Sequence, residues 1–386
     1  MSEWTTIRLG SVVRTNTTSY SPKEGWKYVN YLDTGNITEN VIDAIQHIDL
    51  ENEKLPSRAK RKVQMNSILY STVRPNQKHF GIIKSMQKNF LVSTGFAVID
   101  VIPEKADADY LYFWLTQNTV VEQLHAIAEQ SVSAYPSIKA SDIENLEIAL
   151  PPLTVQKSIA SILKSISDKM SHNSSINENL LQQAQALFKS WFVDFEPFNN
   201  QKPSDWSVST LGNVSIMGAG GDKPQNVSPI KSNLCQYPIY SNGLSEEGLY
   251  GFTDKPKIFK ESVTVSARGT IGFVCLRHIP YVPIVRLVTL IPKTEIISAK
   301  YLYLWLKQLH ITGTGTTQQQ LTVPDFRKTE ILVPSQEIVT LFTATVEPIF
   351  EKIWANQNEN EKLSSLRDTL LPKLMSGELD VSNIDL

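Results

Sequence analysis

The chain has 386 residues, 41% hydrophobic and 9% aromatic, with 37 Lys and Arg against 39 Asp and Glu, for a formal net charge of −2. That length and apolar content suit two globular cores and exclude general disorder. The charge argues against a chain that grips nucleic acid by itself, because phosphate binding is driven by Lys and Arg. No apolar run reaches the roughly 18 residues of a membrane span, and the start, MSEWTTIRLG, lacks the regions of a signal peptide. Cys235 and Cys275 have no CxxC or paired His, so neither a disulfide framework nor a zinc site is expected, and the protein reads as cytoplasmic with no cofactor.

In chain order, Trp4, Leu9 and Gly10 open a first module whose segments Ser67 to Val73, Gly81 to Ile83 and Leu91 to Val101 predict strands. The spacing of Leu111, Trp114 and Leu115 predicts a helix over Ala106 to Glu129. The module closes with Asp142, Ile148, Leu150 and Pro151, where a strand ends and proline opens the next element. From Thr154 to Phe195 the residues Val155, Ile159, Ile162, Ile166, Ile176, Leu180, Leu187 and Trp191 mostly keep the alternating steps of three and four of a coiled-coil seam.

The same order then returns. Trp206, Leu211 and Gly212 repeat the opening, and Tyr301, Leu302, Tyr303, Trp305 and Leu306 repeat Tyr110, Leu111, Tyr112, Trp114 and Leu115. Strands are expected at Ser262 to Val265, Gly272 to Leu276 and Ile284 to Ile291, a helix at Ser298 to Leu309, and a closing phrase at Asp325, Ile331, Val333 and Pro334. A second long helix spans Gln336 to Leu371, with a kink or break expected at Pro348. This is a tandem repeat of one module and one rod. The seams are polar at their centres, at Lys169 and Asn173 and at Asn356 and Asn360, a device that fixes register; the pattern alone leaves the helix direction open. The plainer alternative is two long helices that cover their own domains.

Catalytic motifs are missing. Gly218 to Pro224, GAGGDKP, has a Lys but the wrong spacing for a phosphate loop, and HExxH, GxSxG and Cys/His pairings do not occur. Asp325 and Glu330 offer a weak carboxylate pair, read more simply as a boundary Asp that caps backbone, as Asp142 does. Catalysis is expected on a partner.

The charge is segregated. Lys54 to Ile99 has no Asp or Glu but includes Arg58, Lys60, Arg61, Lys62, Arg74, Lys78, Lys84 and Lys88, and a second acid-free span, Ser262 to Thr294, includes Arg268, Arg277, Arg286 and Lys293. A solvated basic face is the bland reading; two clusters at corresponding places favour DNA contact. The candidate readers are Arg74, Lys78 and His79 with Tyr135 and Ser137 in the first module, and Arg268, Thr270, Gln318, Gln319 and Gln320 in the second. Gln bonds bidentately to adenine, and Arg contacts guanine or phosphate. Arg74 and Arg268 precede Gly81 and Gly272, which read as matching positions.

Several stretches complete a family pattern. They are Ser93 to Val98 (STGFAV), Leu150 to Leu153 with Gln156 and Lys157, Ala186 to Phe195 (ALFKSWFVDF), Ser266 to Gly272 (SARGTIG) and Leu366 to Gly377 (LRDTLLPKLMSG). With them the whole chain resembles the DNA-specificity subunit of Type I restriction-modification systems. The start of the second rod, Ser335 to Thr340, departs by lacking the Gln-Lys pair. The resemblance implies an α+β fold of two target-recognition domains, at 1–152 and 196–334, separated by two spacer helices, one at 153–195 and one in 335–386 ahead of a C-terminal tail, that form an antiparallel, pseudo-twofold coiled coil. It implies a non-catalytic subunit bound to double-stranded DNA, two copies of an adenine methyltransferase subunit and a restriction subunit. Phe188, Trp191, Phe192, Leu371 and Leu374 are the partner-docking candidates within those stretches. Divergent module interiors imply an asymmetric, bipartite target. The rival readings are a stand-alone nuclease at Asp325 and Glu330 and a protein-interaction adaptor.

Overall fold

The computed structural model describes residues 4–131, 135–313 and 319–381. The first module contains β1 (Thr5–Arg8), β2 (Val13–Thr15), β3 (Tyr28–Leu32), β4 (Ile37–Thr38), β5 (Val41–Ile42), β6 (Gln46–Asp49), β7 (Ala59–Arg61), β8 (Ile68–Ser71), β9 (Phe80–Ile82), β10 (Phe90–Ser93) and β11 (Phe96–Val101). Helices α1 (Ala108–Leu115), α2 (Asn118–Glu129) and α3 (Ala140–Glu144) come next, then β12 (Glu147–Leu150) and the long helix α4 (Leu153–Phe192). The second module contains β13 (Ser207–Thr210), α5 (Leu211–Val214), β14 (Ser215–Ala219), β15 (Tyr237–Tyr240), β16 (Leu249–Thr253), β17 (Ser262–Val265), β18 (Val274–Arg277), β19 (Val282–Pro283) and β20 (Val288–Pro292). It ends with α6 (Ala299–Gln308), α7 (Val323–Phe326), β21 (Glu330–Val333) and the second long helix, α8 (Gln336–Met375).

Two compact units result: residues up to 172 together with those from 358 onward, and residues 173–357. Each long helix therefore contributes roughly half its length to each unit.

In the first unit, β1 pairs antiparallel with β12, from Thr5 opposite Leu150 to Arg8 opposite Glu147, so the opening motif and the closing phrase of the sequence meet as one ladder. Two four-stranded sheets, β6-β3-β10-β7 and β2-β11-β8-β9, form the body. The run Leu91 to Val101, expected as one strand, divides into β10 and β11 in different sheets because the Ser93–Gly95 corner turns the chain. The expected helix from Ala106 divides too: α1 ends at Leu115 and α2 restarts at Asn118. Asp107 starts α1 by accepting from the Tyr110 amide at 2.9 Å, and the buried Gln156 of α4 accepts from the Asp107 amide at 2.9 Å. Ile159, Ala160 and Leu163 of α4 join Leu374 and Met375 of α8 in one core with Leu9, Tyr110 and Leu111.

The second unit repeats the closure, β13 pairing with β21 from Ser207 opposite Val333 to Thr210 opposite Glu330. Its sheets are β14-β20-β17-β18 and β16-β15-β19. Gly10 and Gly212 recur at equally tight places: a Cβ would lie 3.1 Å from the Glu144 side chain in the first unit and 3.1 Å from the Arg327 side chain in the second. Ser298 caps α6 by accepting from the Tyr301 amide at 3.1 Å, and the Tyr301 hydroxyl donates to the Leu332 carbonyl at 2.7 Å. Phe188 and Phe192 of α4 pack with Phe342 of α8, Tyr301 and Trp206, ring centroids 4.8 to 5.9 Å apart. Buried aromatics each contribute roughly 1.5–3 kcal/mol by leaving water.

These contacts set the helix direction. In the second unit Asn177 meets Ile353 and Asn356, while Phe188 and Phe192 meet Phe342; in the first, Lys169 lies 3.4 Å from Glu359, and Ile159 shares a core with Leu374. The two helices run antiparallel within each unit. The break expected at Pro348 does not occur: α8 continues from Gln336 to Met375. One missing N–H is tolerated there because Val346 and Phe350 beside it are buried in the core. Among the described residues, no helix is long and apolar enough to cross a membrane.

Candidate nucleic-acid interface

Each unit presents one hairpin turn that is stitched to the segment just before its closing helix and strand. In the first unit the turn joins β8 to β9; the Thr72 carbonyl accepts from the Ile138 amide at 2.8 Å, Val73 bridges Ser137, and the Arg74 amide donates to the Pro136 carbonyl at 3.0 Å. In the second unit the turn joins β17 to β18, and the Ala267 carbonyl accepts from the Leu321 amide at 3.0 Å. The stitch is the same. The side chains on it differ.

Register corrects the glycine match. Tyr70 opposite Phe80 corresponds to Val265 opposite Val274, and the amides of Ser71 and Ser266 donate to His79 and Phe273. Gly272, at φ +84°, therefore corresponds to Lys78, at φ +56°, and Gly81 lies within strand β9. The turn is one residue shorter in the second unit, which the resemblance between the two glycines conceals.

The sequence candidates separate accordingly. Arg74 is exposed in a left-handed conformation, with its guanidinium 5.4 Å from the Tyr135 ring, so Arg74, Tyr135 and Ser137 share one place. Lys78 and His79 are engaged elsewhere: Lys78 pairs with Glu39 at 2.8 Å, and the His79 ring lies 2.7 Å from the Ile37 carbonyl and 3.2 Å from the Thr38 hydroxyl. They brace the turn against the β4–β5 hairpin. Arg268 is exposed and donates from Nε and Nη2 to Gln320 Oε1. Gln319 is exposed next to it, and Gln318 lies outside the described residues. Thr270 turns its hydroxyl inward, buried and without a hydrogen-bond partner among the described residues.

The basic spans are less uniform in space than in sequence. Lys62 pairs with Glu24 at 2.5 Å and Lys84 with Asp109 at 2.7 Å, so distant elements supply the acids those spans lack. Arg277 is only 4% exposed; it lies 3.6 Å from the Tyr240 ring and bonds Glu247 Oε2 at 2.9 Å, the Glu247 carbonyl at 2.6 Å and Thr264 at 3.0 Å. It is a buried strut. Arg58, Lys60, Arg74 and Lys88 in the first unit and Arg268 and Arg286 in the second are exposed.

The partner-docking candidates divide as well. Phe188, Phe192 and Leu374 are buried in the chain's own cores, so their side chains are taken up by folding, while Trp191 and Leu371 are half-buried. Asp325 accepts from Thr322 at 2.7 Å and from Lys328 at 3.4 Å, bonds that hold its carboxyl below the usual range; this is a helix-start arrangement. Asp142 accepts likewise from the Lys139 amide at 2.7 Å. Among the described residues no group of three His, Cys, Asp or Glu is placed to hold a metal ion.

The repeated architecture has a counterpart in known proteins. The model of the Type I restriction modification DNA specificity domain matches residues 1–182 and again 203–364. The chain belongs to the Type I restriction-modification DNA-specificity family. Over 98% of its length it is 27% identical to the type I restriction enzyme HindI specificity subunit of Haemophilus influenzae, covering all of that protein. It is 30% identical to the putative type I specificity subunit S.MpnORF507P of Mycoplasma pneumoniae over 72% of this chain and 74% of the relative. The solved Type I S subunit from M. genitalium has the same fold, with a TM-score of 0.57 at 19% identity over 97% of this chain and 96% of that one. Specificity subunits recognise DNA and assemble with other subunits that carry the chemistry, so this family member is a non-catalytic recognition subunit.

Proposed function

We propose that the chain supplies the target sequence for a Type I restriction-modification complex in the cytoplasm. Each module reads a different half of an asymmetric, bipartite site in double-stranded DNA. Two copies of an adenine methyltransferase subunit and a restriction subunit dock on it and perform catalysis. The recognition domains are 1–152 and 196–334, the first spacer helix is 153–195, and 335–386 holds the second spacer helix and a C-terminal tail; Trp191 and Leu371, partly open to solvent, are the docking side chains.

The observation that carries this reading is the repeated stitch with unlike side chains. The Thr72–Ile138 and Ala267–Leu321 bonds fix two equivalent platforms. One offers Arg74, Tyr135 and Ser137, the other Arg268, Gln319 and Gln320. Equivalent backbones position and unlike side chains discriminate, which is the division of labour between phosphate and base contacts.

The test is to assemble the full chain with its methyltransferase partner and map methylated adenines by single-molecule sequencing. An asymmetric two-part motif is expected, and the chain alone transfers no methyl group and cuts no DNA. Methyl transfer or metal-dependent cleavage by the chain alone, or equal binding of the complex to other polyanions, overturns the reading.

A further inference from the structure

The Gly218–Gly221 run is not a phosphate loop, and the structure gives it another use. Gly220 is buried against the backbone of Ile284, where a Cβ would lie 2.7 Å from both its N and O atoms. Next to that contact, Val285 and Arg286 form a tight turn in which both residues adopt left-handed conformations, φ +52° and +61°. A β-branched residue rarely adopts this conformation, which persists only where its surroundings over-determine it.

The surroundings do so here. The Val285 amide donates to the Gly221 carbonyl and the Arg286 amide to the Gly220 carbonyl, each at 2.9 Å; the Gly220 amide returns a bond to Leu287 at 2.8 Å. The Val285 carbonyl accepts from Asn242 Nδ2 at 2.7 Å, and Asn242 Oδ1 accepts from the Ala267 amide at 2.7 Å. One side chain thus joins two turns. Each of its partners is followed by an exposed arginine: Ala267 by Arg268, and Val285 by Arg286.

The two arginines of the acid-free span outside the Arg268 turn differ in surroundings. Arg277 is buried on Glu247. Among the described residues none gives the Arg286 side chain a hydrogen bond or an ion pair, and it stands exposed on a backbone fixed from three sides. Strand register places Gly95 of the first module at the equivalent position, since Ala97 lies opposite Tyr70 as Val288 lies opposite Val265. The first module has no side chain to offer there.

We propose that Arg286 is a second base-reading arginine of the second module, tied to the Arg268 turn through Asn242 and directed at a guanine edge in the major groove. A phosphate contact needs only a mobile cation, whereas forked bonds to guanine O6 and N7 need a guanidinium whose backbone is held. The strained turn supplies that hold. Asn242 acts as a positioning residue for both arginines.

This rests on the second module reading a half-site, and the test separates the two claims. The full chain, assembled with its methyltransferase partner, selects from a pool of randomised duplex DNA, and the enriched sequences are read for wild type, Arg286→Ala, Arg286→Lys and Asn242→Ala. Wild type is expected to enrich a two-part motif. Arg286→Ala and Arg286→Lys each lower discrimination about tenfold at one position of the second half only, with an unchanged melting temperature. Asn242→Ala lowers it at two positions together. Equal loss of affinity for all sequences in Arg286→Ala, with a salt slope smaller by about 1 and full rescue by Lys, identifies a phosphate anchor and overturns the proposal. Unchanged selectivity, or a change in the first half, also overturns it. If wild type enriches no two-part motif, the half-site reading itself fails and this proposal falls with it.

Discussion

Arg268 donates from both Nε and Nη2 to a single oxygen, Gln320 Oε1, at 2.9 and 2.7 Å. A charged donor bonded twice to one amide oxygen fixes the orientation of both groups, so the proposed reading of the second half-site makes the pair act as one unit. Arg268→Ala and Gln320→Ala are each expected to relax the second half-site by about 1–3 kcal/mol. The double variant is expected to cost clearly less than the sum, because either single change already releases the other partner. A binding cycle on the assembled complex measures this; strict additivity would show that the pair is incidental.

In the first unit the cations differ in availability. Arg74→Ala, which removes an exposed guanidinium above Tyr135, is expected to weaken recognition of the first half-site by about 1–3 kcal/mol. Lys78→Ala removes an ammonium already paired with Glu39 and is expected to change affinity by less than about 0.5 kcal/mol. Competition binding on duplexes altered in one half compares them. An effect of Lys78→Ala equal to that of Arg74→Ala contradicts the distinction.

The repeat, its opening and closing phrases and both long helices are legible in the sequence because burial periodicity and boundary prolines are local signals. The site is legible only in part. Arg74 and Arg268 can be named because they sit in unusual words, but Lys78 and His79 look equally available until the β4–β5 hairpin reaches them with Glu39, Ile37 and Thr38. A seam residue reads the same whether its partner lies in the same chain or another, and for that reason Phe188 and Phe192 read as docking residues although α8 buries them. Nothing in the letters Val285-Arg286 announces a left-handed turn, since Gly220 and Asn242, which impose it, are distant in sequence.

Asn356, 1% exposed, donates to Asn177 Oδ1 at 2.8 Å, and Asn177 donates to the Ile353 carbonyl at 3.2 Å. Asn356→Ala leaves the half-buried Asn177 acceptor without this donor and is expected to cost about 1 kcal/mol. Replacing both with Leu removes the polar demand and is expected to recover most of that loss, at the expense of register. Urea unfolding of the full chain monitored by Trp354 fluorescence, in a variant retaining that tryptophan alone in the second unit, tests both. A double variant no more stable than Asn356→Ala sinks the argument.

His278 lies flat on Trp354, ring centroids 4.1 Å apart and planes within 17°, while Lys300, 4% exposed, pairs with Glu261 and Glu347 at 2.7 and 3.0 Å. Burial, reinforced by the charges of Lys300 and Arg277, pushes the imidazole down to about 4. Unfolded His binds a proton near pH 6.5, so between there and about 4 the unfolded chain holds a proton that the folded chain refuses. This contribution to stability is complete above pH ~6.5 and is lost as the pH falls toward 4. Because part of His278 is open to solvent, the slope is expected to be well below the about 1.4 kcal/mol per pH unit of one fully withheld proton. His278→Phe keeps a ring on Trp354 but cannot titrate. Its melting temperature should therefore fall less than that of the wild type between pH 7 and 5, and an equal or steeper fall refutes the assignment.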